Sequence, residues 1–160
     1  MVNRSVPTNS TAYYCSPRYS DQMKVTFIVD GEPKGKQRPR VVHTASGASA
    51  YTPAQTRFYE DWVRCCYINQ VGRIKLEAPI QATITGVFPI PKSTPKYKRA
   101  KMLAGELLHT KKIDCDNLAK IILDSLNKIA YDDDSGISKL VVDKIYGESP
   151  RVEITLEEIR

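Results

Sequence analysis

Two short acidic clusters flank one strongly amphipathic segment in the second half of this 160-residue chain. The segment 117–130 repeats apolar residues with the period of an α-helix. Its predicted apolar side consists of Leu118, Ile121, Ile122, Leu126 and Ile129. The flanking acids are Asp114 and Asp116 before the segment, and Asp132, Asp133 and Asp134 after it. The fold must bury this helix on one side, and we expect its two acidic ends to converge beside a neighbouring strand.

Converging carboxylates require a compensating positive charge. Two unit charges about 4 Å apart repel by roughly 4 kcal/mol at an effective dielectric constant near 20. The clusters contain aspartates without histidine or cysteine at ligand spacing, which favours a hard, oxygen-binding cation. The sequence therefore predicts a Mg²⁺ or Mn²⁺ site.

The rest of the chain is basic. The net charge is +6, although the segment 113–134 contains six acids and only two lysines. A basic body around an acidic metal site suits the hydrolysis of a phosphodiester, because positive surface holds the polyanion while the metal activates water. Basic clusters occur at Lys34, Lys36, Arg38 and Arg40, at Lys92, Lys96, Lys98, Arg99 and Lys101, and at Lys111 and Lys112. A solvated face explains any one of them, but their position on both sides of the acidic segment favours DNA.

The central motif resembles a known family. The letters DCDNLAKIILDSL at 114–126, followed by DDS at 133–135, are similar to the signature of the RusA family of Holliday junction resolvases. The upstream PKGKQRPR at 33–40 and YTP at 51–53, with Thr56, Tyr59 and Glu60, resemble the family's N-terminal half. These resolvases are small homodimeric endodeoxyribonucleases that are common in prophages.

The resemblance implies a Mg²⁺-dependent enzyme, with Mn²⁺ as a substitute, that resolves four-way DNA junctions by paired symmetric nicks in recombination and repair. It implies metal-binding catalytic carboxylates at Asp114, Asp116 and Asp134, with Asp133 as a further candidate ligand, and a catalytic lysine at Lys120. The candidate DNA-binding residues are Lys34, Lys36, Arg38, Arg40, Lys111 and Lys112. The homodimer and the preference for branched DNA rest on the resemblance alone.

Each of these assignments has a structural alternative. Asp114 and Asp116 could merely cap the helix that follows them. Lys120 lies one turn from both Asp116 and Asp124, so it could form an ordinary surface ion pair. We interpret Asp124 as a support for Lys120, and Asp132 as part of a solvated turn.

Two other functions are compatible with the sequence. The chain could be a junction-binding module without catalysis, a possibility raised by Gly136 where the family usually has glutamine. It could also be a transferase that uses Asp114 and Asp116 to bind metal on a nucleotide-sugar phosphate, although it is short for that class and lacks a nucleotide-binding pattern.

The predicted fold class is α+β, with one compact domain at 23–160 in which helices pack on a mixed β-sheet, after a loose tail at 1–22. The predicted elements are a strand after residue 23, a helix at 53–69, a strand at 80–88, and a short basic helix between Pro95 and Gly105. Strands at 140–146 and 152–156 are expected to form a hairpin. The apolar side of the helix at 53–69 is predicted to carry Phe58, Trp62 and Cys66.

We expect a cytoplasmic protein with no contact to a membrane. No segment approaches the ~20 apolar residues of a membrane span. Cysteines at 15, 65, 66 and 115 lack metal-ligand spacing, so reduced thiols are predicted. His109 has no second ligand nearby in sequence, and we expect it to be a phosphate contact or a surface residue.

Overall fold

A four-stranded mixed sheet and three α-helices form most of the part of the chain that the computed structural model describes, residues 22–44 and 47–159. The elements are β1 (Lys24–Asp30), β2 (Arg40–Thr44), β3 (Gly47–Tyr51), α1 (Ala54–Gln70), β4 (Ile80–Pro89), α2 (Lys96–Leu103), α3 (Cys115–Leu126), β5 (Ile137–Gly147) and β6 (Arg151–Glu158). The strand order is β1-β6-β4-β5, with β4 parallel to β5 and the other pairs antiparallel. The predicted α+β fold with a mixed sheet is confirmed.

The two C-terminal strands do not form the expected hairpin. β4 lies between β5 and β6, so the expected pairing of the last two strands is wrong. β6 pairs with β1 on one side and β4 on the other, and its Val152, Ile154 and Leu156 are fully buried. Alternation in the sequence identifies both strands, but it does not specify which neighbour each of them takes.

Helix α3 lies against the core as its apolar period predicts. Leu118, Ile121 and Leu126 are fully buried, and α3 packs against α1 and β5. The helix ends at Leu126, earlier than expected. Asn127 follows the helix with an extended backbone, and Lys128 has a positive φ of 68°.

The inward side of α1 differs from the prediction. Phe58 and Trp62 were expected in the core, but they are 74% and 48% exposed. Thr56, Glu60 and Val63 face inward instead. The polar Glu60 is buried because it has a cationic partner, described below.

The basic segment at 33–39 is a loop, called the basic loop below, that leads into β2. Arg40 begins β2, which pairs antiparallel with β3 in a separate two-stranded sheet. The predicted tail at 1–22 lies outside the described residues except for Gln22, as does Cys15, while Cys65, Cys66 and Cys115 are free thiols. In the ranges that the structure covers, no helix is both long and apolar enough to cross a membrane.

Candidate active site at the start of α3

Two aspartates stand exposed at the N-terminal end of α3. Asp114 takes the N-cap position and Asp116 lies in the first turn. The carboxylate of Asp114 makes no capping hydrogen bond, so the interpretation of this residue as a simple helix cap gains no support. The positive end of the helix dipole favours negative charge here. Both carboxylates are therefore placed where a cation or a substrate can reach them.

The acids beyond the other end of α3 are bonded differently from one another. Asp133 caps a short 3₁₀ turn (Asp134–Gly136), and its Oδ1 accepts a hydrogen bond of 2.9 Å from the backbone N–H of Ser135. Hydrogen bonding to Ser135 lowers the pKa of Asp133. Asp132 pairs with Lys75 at 2.5 Å, as suits a residue of a solvated turn. The choice between Asp134 and Asp133 as the third ligand stays a prediction.

The expected convergence of the two acidic clusters is not seen within one chain. Asp114 and Asp116 lie at the start of α3, whereas Asp132, Asp133 and Asp134 come after its end. Among residues 22–44 and 47–159, no group of three or more His, Cys, Asp or Glu side chains is placed to hold a metal ion. The role of Asp134 therefore stays a prediction.

The pair formed by Asp114 and Asp116 nevertheless suits Mg²⁺ in its donor chemistry. Magnesium in proteins that act on phosphates is commonly bound by one or two carboxylates, and waters and substrate oxygens complete the octahedron. The two exposed carboxylates match this kind of open site, which does not need a complete set of protein ligands.

A partly buried ion cluster connects the basic loop to both helices. The Nζ of Lys36 forms ion pairs with Oε1 of Glu60 on α1 and, at 3.1 Å, with Oδ2 of Asp124 on α3. Burial opposes the charge of Lys36, but hydrogen bonds and charge from both acids outweigh it and raise its pKa. Lys36 was predicted to bind phosphate; here its ammonium is held by two carboxylates, and a contact with DNA stays a prediction.

Asp124 also holds the predicted catalytic lysine. Its Oδ1 lies 3.5 Å from Nζ of Lys120, whose side chain is 61% exposed. The supporting contact expected for Asp124 is therefore present. Lys120 lies one helical turn after Asp116, so its ammonium is on the same side of α3 as that carboxylate.

The segment that leads into Asp114 is held by a lysine that the sequence did not single out. The Nζ of Lys144 on β5 donates hydrogen bonds to the backbone carbonyls of Lys111, at 3.0 Å, and Ile113, at 2.7 Å. Lys144 belongs to an alternating strand and looks like an ordinary solvent-facing residue in the sequence. Only the sheet order brings β5 beside this segment.

His109 also lies beside the segment that leads into Asp114. It is 8% exposed, and its ring stacks on Phe88 with centroids 3.9 Å apart and meets Tyr146 edge to face. Burial lowers the pKa of His109, and the charges of Lys144 and Lys111 lower it further. The expectation of a surface residue is therefore wrong, because the ring is packed in a small aromatic cluster, and a contact with phosphate stays a prediction.

A cleft of about 860 Å³ opens next to Asp114. Lys34, Lys112 and Asp114 lie along it, and α1 contributes one wall. At Gly35, a Cβ would overlap the side chain of Ile113, so only glycine lets the basic loop approach this segment so closely. The cleft therefore brings positive charge directly to the candidate site.

Comparison with known proteins identifies the family. The family model described as endodeoxyribonuclease RusA matches residues 30–157, a range that includes every predicted site residue. A protein of Bacillus subtilis (strain 168), named Uncharacterized protein YqaN, is 32% identical over 137 residues, which cover 84% of this chain and 96% of the Bacillus chain. The resemblance found in the sequence is thus confirmed: the chain belongs to the RusA endodeoxyribonuclease family.

Proposed function

We propose that this protein is a metal-dependent endodeoxyribonuclease that resolves four-way DNA junctions by paired, symmetric nicks. The observation that carries the proposal is the exposed pair Asp114 and Asp116 at the start of α3, with no capping bond at Asp114, in a chain that matches the RusA family over most of its length. Recombination and repair of DNA in the cytoplasm is the proposed setting, and a prophage origin comes from the resemblance alone.

Asp114 and Asp116 would hold Mg²⁺, or Mn²⁺ in its place, and the family resemblance adds Asp134 as a third ligand. A bound Mg²⁺ would polarise the scissile phosphate and make a water molecule easier to deprotonate. The exposed carboxylates and the N-terminal end of α3 position this chemistry at the mouth of the cleft.

The cationic side chains have separate proposed roles. Lys120, held by Asp124, would stabilise the negative charge that grows on the phosphate during attack. Lys34 and Lys112 line the cleft and would bind the DNA backbone. The proposed backbone contacts also include Lys111, Arg38 and Arg40.

We also propose a homodimer. A four-way junction has two-fold symmetry, and a two-fold dimer would present one site to each of two opposed strands. Sedimentation at assay concentrations tests this directly: a monomer that still cuts both strands would contradict it.

The alternative is a binding module without catalysis, which Gly136 suggested. A Cβ at Gly136 would stand 3.1 Å from Cβ of Ala78, a tight contact. Close packing of the turn is therefore a structural reason for glycine at this position, and the cleavage assay decides between the two functions.

The test is cleavage of a labelled synthetic four-way junction beside a linear duplex of the same sequence, in Mg²⁺, Mn²⁺ or EDTA. We expect symmetric nicks in the junction, in metal only, with the duplex left intact. Tight binding of the junction without cutting in either metal would replace the nuclease proposal by the binding module.

A further inference from the structure

Two aromatic rings on α1 stand exposed along the cleft that leads to Asp114. Phe58 and Trp62 are one helical turn apart, and they are 74% and 48% exposed. Such rings usually lie in the core, and here the inward positions of α1 are taken by other residues. They add exposed aromatic surface to a cleft that Asp114 also lines.

The indole ring is held in place. The Nε1–H of Trp62 donates a hydrogen bond of 3.1 Å to the backbone carbonyl of Asp30, at the end of β1. Its polar atom is therefore satisfied by the protein, and the ring face is left for a ligand. A fixed ring loses little freedom when a planar group stacks on it.

The cleft also offers polar groups of the kind that bind a base edge. The side chains of Gln37, Gln55 and Asn117, which can both donate and accept, line the same cleft.

The charge of the cleft indicates an anionic ligand rather than an apolar one. Lys34 and Lys112 lie along it, and Lys36 adds a third ammonium that is partly neutralised by Glu60 and Asp124. A nucleotide matches all three features, because it combines a planar aromatic base, polar edges and a phosphate. The volume of about 860 Å³ is sufficient for one.

We propose that this cleft binds an unpaired nucleobase of a DNA strand, stacked on Phe58 and Trp62, with the adjoining phosphate held by Lys34 and Lys112. This inference deepens the proposed function, because Asp114 lines the same cleft and a DNA strand bound there would lie beside a proposed catalytic carboxylate. Stacking on aromatic side chains tolerates any base. The ligand class is therefore branched DNA with an unstacked nucleotide, without a preference for one base.

Fluorescence of Trp62 provides the test, because it is the only tryptophan of the chain. The full chain in EDTA is titrated with an oligothymidine strand and with an abasic sugar-phosphate strand of equal length and charge. We expect saturable quenching by oligothymidine and little by the abasic strand. Phe58→Ala should weaken oligothymidine binding about five-fold to a hundred-fold. Ile68→Ala, which changes a 39% exposed residue of α1 outside the cleft, should leave binding unchanged.

Three results would overturn the base site: equal quenching by both strands, no quenching by either, or emission that depends on protein concentration but not on DNA. The last result would show that a second copy covers the rings. None of these outcomes depends on cutting. Junction cleavage without base-dependent quenching would support the nuclease proposal and refute the base site. Base-dependent quenching without cleavage would support the base site and refute the nuclease proposal.

Discussion

The substitution Lys36→Met removes the cation shared by Glu60 and Asp124 while it keeps a long side chain. Breaking a buried ion pair from one side costs about 3–5 kcal/mol, because a charge remains without a partner. The three side chains here are 11–22% exposed, so solvent relieves part of that cost. We expect the free energy of unfolding to fall by about 2–3 kcal/mol. For a chain of this size, this corresponds to a decrease in Tm of about 4–12 °C.

The pH dependence shows whether the charge of Lys36 carries the stabilisation. In the wild type, Lys36 has a raised pKa, so its contribution is complete below the ordinary lysine pKa of 10.5 and is lost only as pH rises through the higher value in the folded protein. The variant lacks this titrating group. The difference in unfolding free energy between the wild type and the variant should therefore be larger at pH 8 than at about pH 11.5.

Thermal unfolding followed by circular dichroism at both pH values measures this effect. The control is Lys34→Met, which changes an exposed lysine of the same loop and should alter stability by less than about 0.5 kcal/mol. If Lys36→Met unfolds within about 1 °C of the wild type, or loses the same stability at both pH values, the ion cluster does not join the loop to the helices as described.

Three further predictions concern the segment before the site. Gly35→Ala should slow junction cleavage clearly while it lowers Tm only slightly, because the added Cβ would displace Ile113. Cleavage at the wild-type rate would contradict the packing described for Gly35. Lys144→Met should lose about 1–3 kcal/mol in chemical unfolding and slow cleavage at saturating metal, because two carbonyl contacts disappear; an unchanged cleavage rate would remove its positioning role. The pKa of His109 is lowered in the folded protein, so wild-type stability should fall as pH decreases below about 6.5. His109→Phe should lack this decline. If the unfolding free energies of the wild type and the variant change equally between pH 7.5 and 5.5, the prediction is refuted.

Helix α3 could be predicted from the sequence because its environment is simple. One side is apolar and fully buried, as shown by Leu118, Ile121 and Leu126, so the period alone gives the orientation. The start of the helix was predicted two residues late, at 117, because Cys115 and Asp116 precede the apolar period but belong to the first turn.

The orientation of α1 could not be read in the same way. Glu60 faces inward because Lys36 and Asp124, from two other segments, neutralise it. A pattern that assigns every charged residue to the surface then places Phe58 and Trp62 in the core. The predicted pairing of the last two strands is wrong for a related reason, because the partner of each strand depends on contacts across the whole sheet.

The support around the site depends on long-range contacts as well. Lys144 reaches the segment before Asp114 only because β5 lies at that edge of the sheet, and His109 is buried by Phe88 from β4 and Tyr146 from β5. No local motif marks these residues. The candidate carboxylates could therefore be predicted from the sequence, but the groups that position them could not.

The most direct test of the central claim is the single-turnover rate of cutting for a four-way junction already bound in EDTA, started by adding Mg²⁺. Asp116→Asn is compared with Asp132→Asn, which removes an exposed acid paired with Lys75 outside the site. We predict that Asp116→Asn lowers the rate about a hundred-fold or more and leaves the Kd for the junction within about threefold, while Asp132→Asn cuts like the wild type. Cutting by Asp116→Asn at the wild-type rate would show that the carboxylates at the start of α3 do not carry the reaction.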